Sequence, residues 1–406
     1  MNLLTVSEVA KKWNVSERRV QRLCSEGRIK GVTKFGKAWM IPNTAVLPTN
    51  KVIDNPTLPL PKRTPFLDMT NIYNEPGKAN QCGEMLINNT EAHLLYDAQI
   101  AYRRGEIDKV YDKARYFLKA HSGTFAILGA GMLLAQCAIW RGDINLWYEA
   151  KKHICEAPTK TQEERDFVSL ALAIADSSLY DNKDFPTWFK KGNFELLPGD
   201  AHPAAKVFYI KYLYMDAYSV ATKELKMEGF SGLSLMSIMP FTIEPLISQA
   251  VIDKTIIPEI YLRLSCAVAY YNTGQKMDAI EHLDKAIKLA HEDKLYGILT
   301  EYVRHFGGLL EERVALIDPI AVQIITGLFY RYNVGWATLS GTVRNKYIAT
   351  NLTTKEREIA KLSAFGFGNK EIANMLFISE SSVKQTIIRI LNKTGLNEKK
   401  EFVYII

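Results

Sequence analysis

The sequence predicts a mainly α-helical chain in which two small helix-turn-helix units flank a large stack of helical pairs. Three observations carry this. A Thr-x-x-Glu capping box stands near each end, at Thr5–Glu8 and at Thr353–Glu356, and starts a run of short helices. The middle alternates Ala-, Leu- and Tyr-rich stretches at helical spacing with brief Gly, Asn or Asp turns. Charge is also segregated: residues 1–51 carry a net +7 and residues 344–406 a net +5, while the centre carries −5. Length and composition agree, since 406 residues suit two to four domains and 47% apolar with 23% charged residues is ordinary for a folded chain. Intrinsic disorder and collagen-like architecture are excluded.

Several function classes find no support. Uncharged stretches such as Gly229 to Thr242 contain Gly, Ser and Pro and fall short of the roughly 20 apolar residues of a membrane span. Met1 to Ala10 has no basic region followed by an apolar core, so a cytoplasmic, signal-free protein is expected. Cys24, Cys82, Cys137, Cys155 and Cys266 are widely spaced and odd in number, which predicts reduced thiols and neither a disulfide framework nor a zinc knuckle. His153 and Cys155 would point apart on a helix. No metal-binding His pair, nucleophile elbow or phosphate-binding loop occurs, so no enzyme, metal or cofactor is expected.

At the N-terminus the capping box places a helix from Val6, with Val9, Ala10 and Trp13 inward. Asn14-Val15 breaks it, and Ser16 caps a second helix running to about Ser25. Val20 and Leu23 point inward with Val15, which leaves Arg18, Arg19, Gln21 and Arg22 outward. Two short helices on a tight turn, the second one basic, make a helix-turn-helix. Ile29 to Thr33 and Ala38 to Ile41 then read as two strands joined by Lys34-Phe35-Gly36-Lys37, a basic hairpin able to lie on a phosphate backbone. This run of about 45 residues, from the Leu4-Thr5 opening to the Trp39-x-Ile41-Pro42 finish, resembles the small winged helix-turn-helix of excisionases and MerR-type regulators. The resemblance implies DNA contacts from Ser16, Arg18, Arg19 and Arg22, with Lys34 and Lys37 on phosphates. This domain is assigned to residues 1–47.

Residues 48–83 form a Pro-rich linker, with five prolines from Pro48 to Pro65 favouring extended backbone. Residues 84–343 form an α-solenoid. Its clearest unit is Ala267-x-x-Tyr270-x-x-x-Gly274-x-x-x-x-Ala279-x-x-x-Leu283-x-x-Ala286, with weaker copies around Gly105 and Gly142 and a degenerate turn at Asp181-Asn182. Small residues admit close helices, Tyr270 should fill the gap between them, and Gly274 opens the turn. That spacing resembles a tetratricopeptide repeat. Single repeats cannot bury their own faces, so a stacked array with a concave groove is expected, and such grooves bind peptides, proteins or small effectors.

In residues 344–406 the second capping box opens a helix to about Phe365, with Ile359, Ala360 and Leu362 inward. Asn369 should cap a short helix, and Ser379 a third one from Glu380 to Lys393 with Val383, Ile387 and either Ile390 or Leu391 inward. Ser381, Ser382, Lys384, Gln385, Ile388 and Arg389 then face outward, a set suited to base edges and phosphates in a major groove. Leu352-Thr353-x-Lys355-Glu356, Gly368-Asn369-Lys370-Glu371-Ile372-Ala373-x-x-Leu376, Ile378-Ser379-x-x-Ser382-Val383-Lys384 and Lys393-x-Gly395 closely resemble the LuxR-type DNA-binding domain. The resemblance implies a four-helix fold, adds Lys370 and Lys393 to the DNA-facing set, and implies a last helix, about Glu398 to Ile405, that can dimerise. Lys355, Thr386 and Thr394 depart from the family's usual Arg, His and Leu.

The expected function is bacterial transcription regulation through double-stranded DNA, with the solenoid sensing an effector or protein partner and RNA polymerase admitted as a further partner. A helical array ending in this domain also resembles the large ATP-dependent LuxR regulators, but the missing phosphate loop gives no ground to carry ATP over. A recombination or architectural DNA factor, or a solenoid scaffold for protein partners, stands as the alternative.

Overall fold

Thr5 and Glu8 satisfy each other's backbone, and that exchange starts the first helix. In the computed structural model, which describes residues 3–45, 72–222, 232–344 and 352–404 apart from 14, 26–28, 30, 37, 87–89, 121–122, 182 and 198, the Glu8 carboxylate accepts from the Thr5 N–H at 2.8 Å. The Thr5 hydroxyl accepts in return from the Glu8 N–H at 3.4 Å. The chain separates into two units, Met1–Lys62 and Arg63–Ile406.

In the first unit, α1 (Val6–Trp13) and α2 (Glu17–Ser25) follow the capping signals. Val9, Ala10, Val20, Leu23, Cys24, Ile29 and Ile41 close a small core between the helices and the sheet. The wing has three strands where the sequence predicts two. β1 (Leu3–Thr5) pairs antiparallel with β3 (Ala38–Pro42), opposing Leu4 to Ile41, and β2 (Thr33–Phe35) pairs with the other edge of β3. β1 escaped the pattern because three residues are too few for alternation to register. The first wing strand also starts later than the predicted Ile29; Ile29 instead plugs the core.

The second unit begins inside the segment assigned to the linker. Residues 46–71 lie outside the described residues, but Tyr73 is fully buried and donates to Asp293 at 2.6 Å. Helix α3 (Ala79–Glu84) packs on α4 (Thr90–Arg104). Helical hairpins follow: α4 with α5 (Ile107–Ala120) and α6 (Thr124–Arg141) with α7 (Ile144–Cys155). Then come α8 (Gln162–Ser177), the short α9 (Thr187–Lys190), and α10 (His202–Thr222) with α11 (Gly232–Ile252). The predicted repeat is α12 (Ile256–Asn272) and α13 (Lys276–Glu292), turning at Gly274 with φ +80°. Ala267, Ala279, Leu283 and Ala286 are all buried between them. Half-buried Tyr270 of α12 meets α13 by stacking on His282 at 5.7 Å, and also donates to Glu244 of α11 at 2.5 Å.

The end of the array packs back on its earlier helices. After α14 (Tyr296–Tyr302) and α15 (Leu309–Ala315), the long α16 (Pro319–Arg344) lies against α6, α14 and α15. Two glycines permit close helix approaches here. A Cβ on Gly335 would lie 2.4 Å from the Ile139 and Trp140 carbonyl oxygens, and one on Gly297 of α14 would lie 2.5 Å from the Tyr102 oxygen of α4. Trp336 fixes α16 further by donating its Nε1 proton to the Ser178 oxygen at 2.9 Å. A partly open cavity of about 200 Å³ lies among these helices. No helix among the described residues is long and apolar enough to cross a membrane.

Candidate nucleic-acid interface

The C-terminal segment folds into α17 (Thr354–Ala364), α18 (Asn369–Met375) and α19 (Glu380–Thr394). Thr353 caps α17, accepting from the Glu356 N–H at 3.2 Å, while Glu356 accepts from the Thr353 N–H at 2.7 Å. The cap of α18 is Gly368, not Asn369 as the sequence suggests; Asn369 is the first helical residue, and Glu371 accepts from the Gly368 N–H at 2.7 Å. Ser379 caps α19 by accepting from the Ser382 N–H at 3.1 Å. Phe377 occupies the turn between α18 and α19 in the left-handed region, φ +54°, with 95% of its surface exposed.

Ile359, Ala360, Ile372, Ala373, Val383, Ile387 and Ile390 form the domain's core. Phe402 completes it from a 3-10 turn over Lys399–Tyr404, where the sequence predicts a regular helix. The inward stripe of α19 also holds Thr386 and Thr394, both buried. Thr394 donates to the Ile390 oxygen at 2.8 Å. These two departures from the family pattern therefore face the core, away from the outer face.

That outer face brings together Ser381, Lys384, Gln385 and Arg389, all exposed. Lys384 sits 2.8 Å from Glu380 one turn earlier, and its hydrogen bond holds the Glu380 carboxyl below the usual range. Lys370 is exposed at the start of α18. Ser382, Lys393 and Arg389 also have partners within the domain. Ser382 is half-buried with its hydroxyl 2.8 Å from that of Ser379. Lys393 donates to the buried Glu356 carboxylate at 2.8 Å, and Arg389 approaches the same carboxylate at 4.0 Å. In the N-terminal unit Ser16 and Arg18 are exposed, and Lys34 is exposed with its ammonium 5.2 Å from the Trp39 ring. The side chains of Arg19 and Arg22, and all of Lys37, lie outside the described residues.

Glu356 is the residue whose second role the sequence hid. Its capping spacing is local, but its partner Lys393 lies 37 residues on. Burial pushes its carboxyl upward, yet the bonds from Lys393 and Thr353 outweigh burial and hold it below the ordinary value. A carboxyl depressed by folding stabilises fully above its unfolded pKa and loses that contribution as pH falls through the folded one. Protection of α17 and α19 amides from hydrogen exchange should therefore weaken below about pH 4. Glu356→Ala should remove this dependence and cost the domain about 2 kcal/mol at neutral pH. Unchanged exchange in the variant would contradict the pairing.

The domain is docked on the helical array. Lys361 of α17 is buried, donates to the His305 oxygen and lies 5.1 Å from the centre of the Tyr271 ring. Burial lowers its pKa to about 7. Tyr271 donates to Glu358, Arg357 covers the Phe329 ring at 4.9 Å, and Phe365 joins the same apolar cluster as Phe306 and Leu310.

No metal ligand set was legible in the sequence, but Glu244, Cys266 and His282 bring ligand atoms within 4.8 Å of one another. Burial raises the Cys266 thiol to about 12, and Glu244 accepts from Tyr270, so the trio is a packed, hydrogen-bonded cluster. Cys155 is exposed, and His153 turns to Glu149 at 3.8 Å, apart from it as predicted.

Comparison with known proteins agrees with the geometry of both ends. Residues 350–406 match the family model of bacterial regulatory proteins of the LuxR family, and residues 3–47 match a helix-turn-helix domain model. The chain is 32% identical over 94 residues to the uncharacterized transcriptional regulatory protein YxjL of Bacillus subtilis (strain 168), covering 22% of this chain and 43% of that protein. It is 46% identical over 52 residues to the oxygen regulatory protein NreC of Staphylococcus aureus (strain JH9), covering 13% of this chain and 24% of that protein. The chain thus spans less than half the length of these relatives. Its C-terminal segment is a LuxR-type helix-turn-helix domain, carried on one chain with a second helix-turn-helix domain at residues 3–47.

Proposed function

We propose that this chain is a bacterial transcription regulator that binds double-stranded DNA and whose helical array senses an effector or partner. The observation that carries the reading is the split of α19. One stripe is wholly committed to the domain core, and the opposite face exposes Ser381, Lys384, Gln385 and Arg389. A helix held rigidly from behind, with short polar and cationic side chains in front, suits a major groove. The exposed Ser16 and Arg18 on the first unit suit a second contact, and two binding units on one chain raise each other's effective concentration. Contact with RNA polymerase and pairing of two copies through the C-terminal turn belong to the same reading.

Phosphate contacts release counterions, so affinity should fall steeply with salt. Lys384→Ala should weaken binding to a cognate site several-fold in a gel shift and make the salt dependence shallower. Equal affinity of the variant and the parent at every salt concentration would count against α19 as the reading helix.

A further inference from the structure

The cavity among the helices has a chemistry of its own. Seven helices, α4, α6, α8, α10, α12, α14 and α16, converge on the 200 Å³ cavity. Three cations line it, Arg103, Lys211 and Arg304, against one carboxylate, Glu301. Glu301 is already engaged: it accepts from Tyr102 at 2.8 Å and Tyr261 at 3.2 Å and pairs with Lys211 at 3.4 Å. Arg304 lies 3.9 Å from the centre of the Trp336 ring, and its hydrogen-bond partners are the neutral Tyr180 and Asn333, both at 3.4 Å. His305 adds no negative charge. Burial, with Lys361, Arg304 and Lys211 nearby, keeps its ring neutral. The rest of the wall mixes aromatic and aliphatic side chains, including Trp336, Tyr332, Leu133 and Val268, with a few neutral polar ones such as Gln136 and Ser265. Cations gathered along one cavity wall are stabilised by an anion, and aromatic faces favour a planar body between them.

We propose that this cavity binds a small organic anion with a flat apolar body, and that residues 303–308 carry its presence to the DNA-binding domain. Arg304 and His305 face the cavity. The same short segment meets α17 on its other side: the His305 oxygen accepts from Lys361, and a Cβ on Gly307 would come 2.7 Å from the Glu358 carboxyl carbon. Ligand contact with Arg304 therefore shifts a strand of backbone on which α17 rests. The coupling half of this proposal rests on the regulator reading, so ligand binding and DNA binding are measured separately.

The test uses the full chain with benzoate, 4-hydroxyphenylacetate and indole-3-acetate, each beside its primary amide, in calorimetric titrations and thermal denaturation. At least one carboxylate should bind and raise the unfolding midpoint, and its amide should bind about tenfold or more weakly. Arg304→Gln should lower carboxylate affinity by a similar factor. Lys211→Gln, on α10, serves the same purpose if the first variant fails to fold. The site is overturned if no carboxylate binds, if the amide binds equally well, or if a folded variant binds like the parent. Saturating carboxylate should then change gel-shift affinity about fivefold or more. Unchanged DNA affinity overturns the coupling and leaves the site. Carboxylate binding without any DNA binding overturns the coupling together with the regulator reading, and again leaves the site.

Discussion

Gly335→Val is expected to lift α16 off α6 and to cost about 3 kcal/mol or more. The added side chain would meet the Ile139 and Trp140 carbonyl oxygens, and even its Cβ would stand 2.4 Å from them. These are backbone atoms inside a helix, so they cannot rotate aside as a side-chain tip would. The helix must move as a whole. Trp336, Ala337 and Leu339 would then leave their shared core with Leu134, Cys137 and Ala138. Gly327 on the same helix supplies the control. It is exposed, and a methyl added there would meet nothing within 4 Å, so Gly327→Ala should stabilise by up to about 1 kcal/mol through helix propensity. Urea titrations of the three proteins decide the matter. Similar midpoints for Gly335→Val and the parent would show that α16 does not rest closely on α6.

Reversing charge at Lys370 and Lys384 together should reduce DNA affinity about a hundredfold or more at about 0.15 M salt. Both side chains are exposed on α18 and α19 and absent from the domain core. The double Glu variant should therefore keep its helix content and its thermal midpoint. Its salt dependence separates a DNA contact from a general loss of structure, because removal of two phosphate contacts flattens the slope of log affinity against log salt by about two. Reporter transcription should fall or rise in step with occupancy. A double variant that bound and regulated like the parent would remove the outer face of α19 from the interface.

Much of the C-terminal site was readable because its determinants repeat on short periods. Val383, Ile387 and Ile390 follow helical spacing and are buried as expected. The spacing also implied that Ser379 caps the helix, and its hydroxyl accepts the Ser382 N–H. Thr386 and Thr394 show where such reasoning weakens. Both sit between apolar positions on the inward stripe, and polar residues there are hidden from a hydrophobic pattern until burial is seen. Lys393 entered the DNA-facing set through the LuxR-type resemblance, and only the fold shows its pairing with Glu356, 37 positions away. In the array, the repeat at Ala267 to Ala286 and the packing of Tyr270 on α13 were legible, but the bond from Tyr270 to Glu244 was not, since Glu244 belongs to another hairpin.

By itself the sequence determined the local pieces: where helices start, where glycines turn them, which stripe of each is apolar, and which ends of the chain are cationic. Those features depend on residues within about four positions of one another, or on simple sums of charge. Tertiary structure alone decided that α16 packs back on α6 and α14, that cations gather with one carboxylate beside it, and that α17 rests on the backbone next to them. The partners in these contacts lie far apart, as with Lys361 and His305, 56 positions from each other, and Tyr271 and Glu358, 87 positions apart. Nothing in a local pattern selects such pairs. They are selected by which surfaces can approach closely, and here that choice falls to the bare backbone at Gly297 and Gly335.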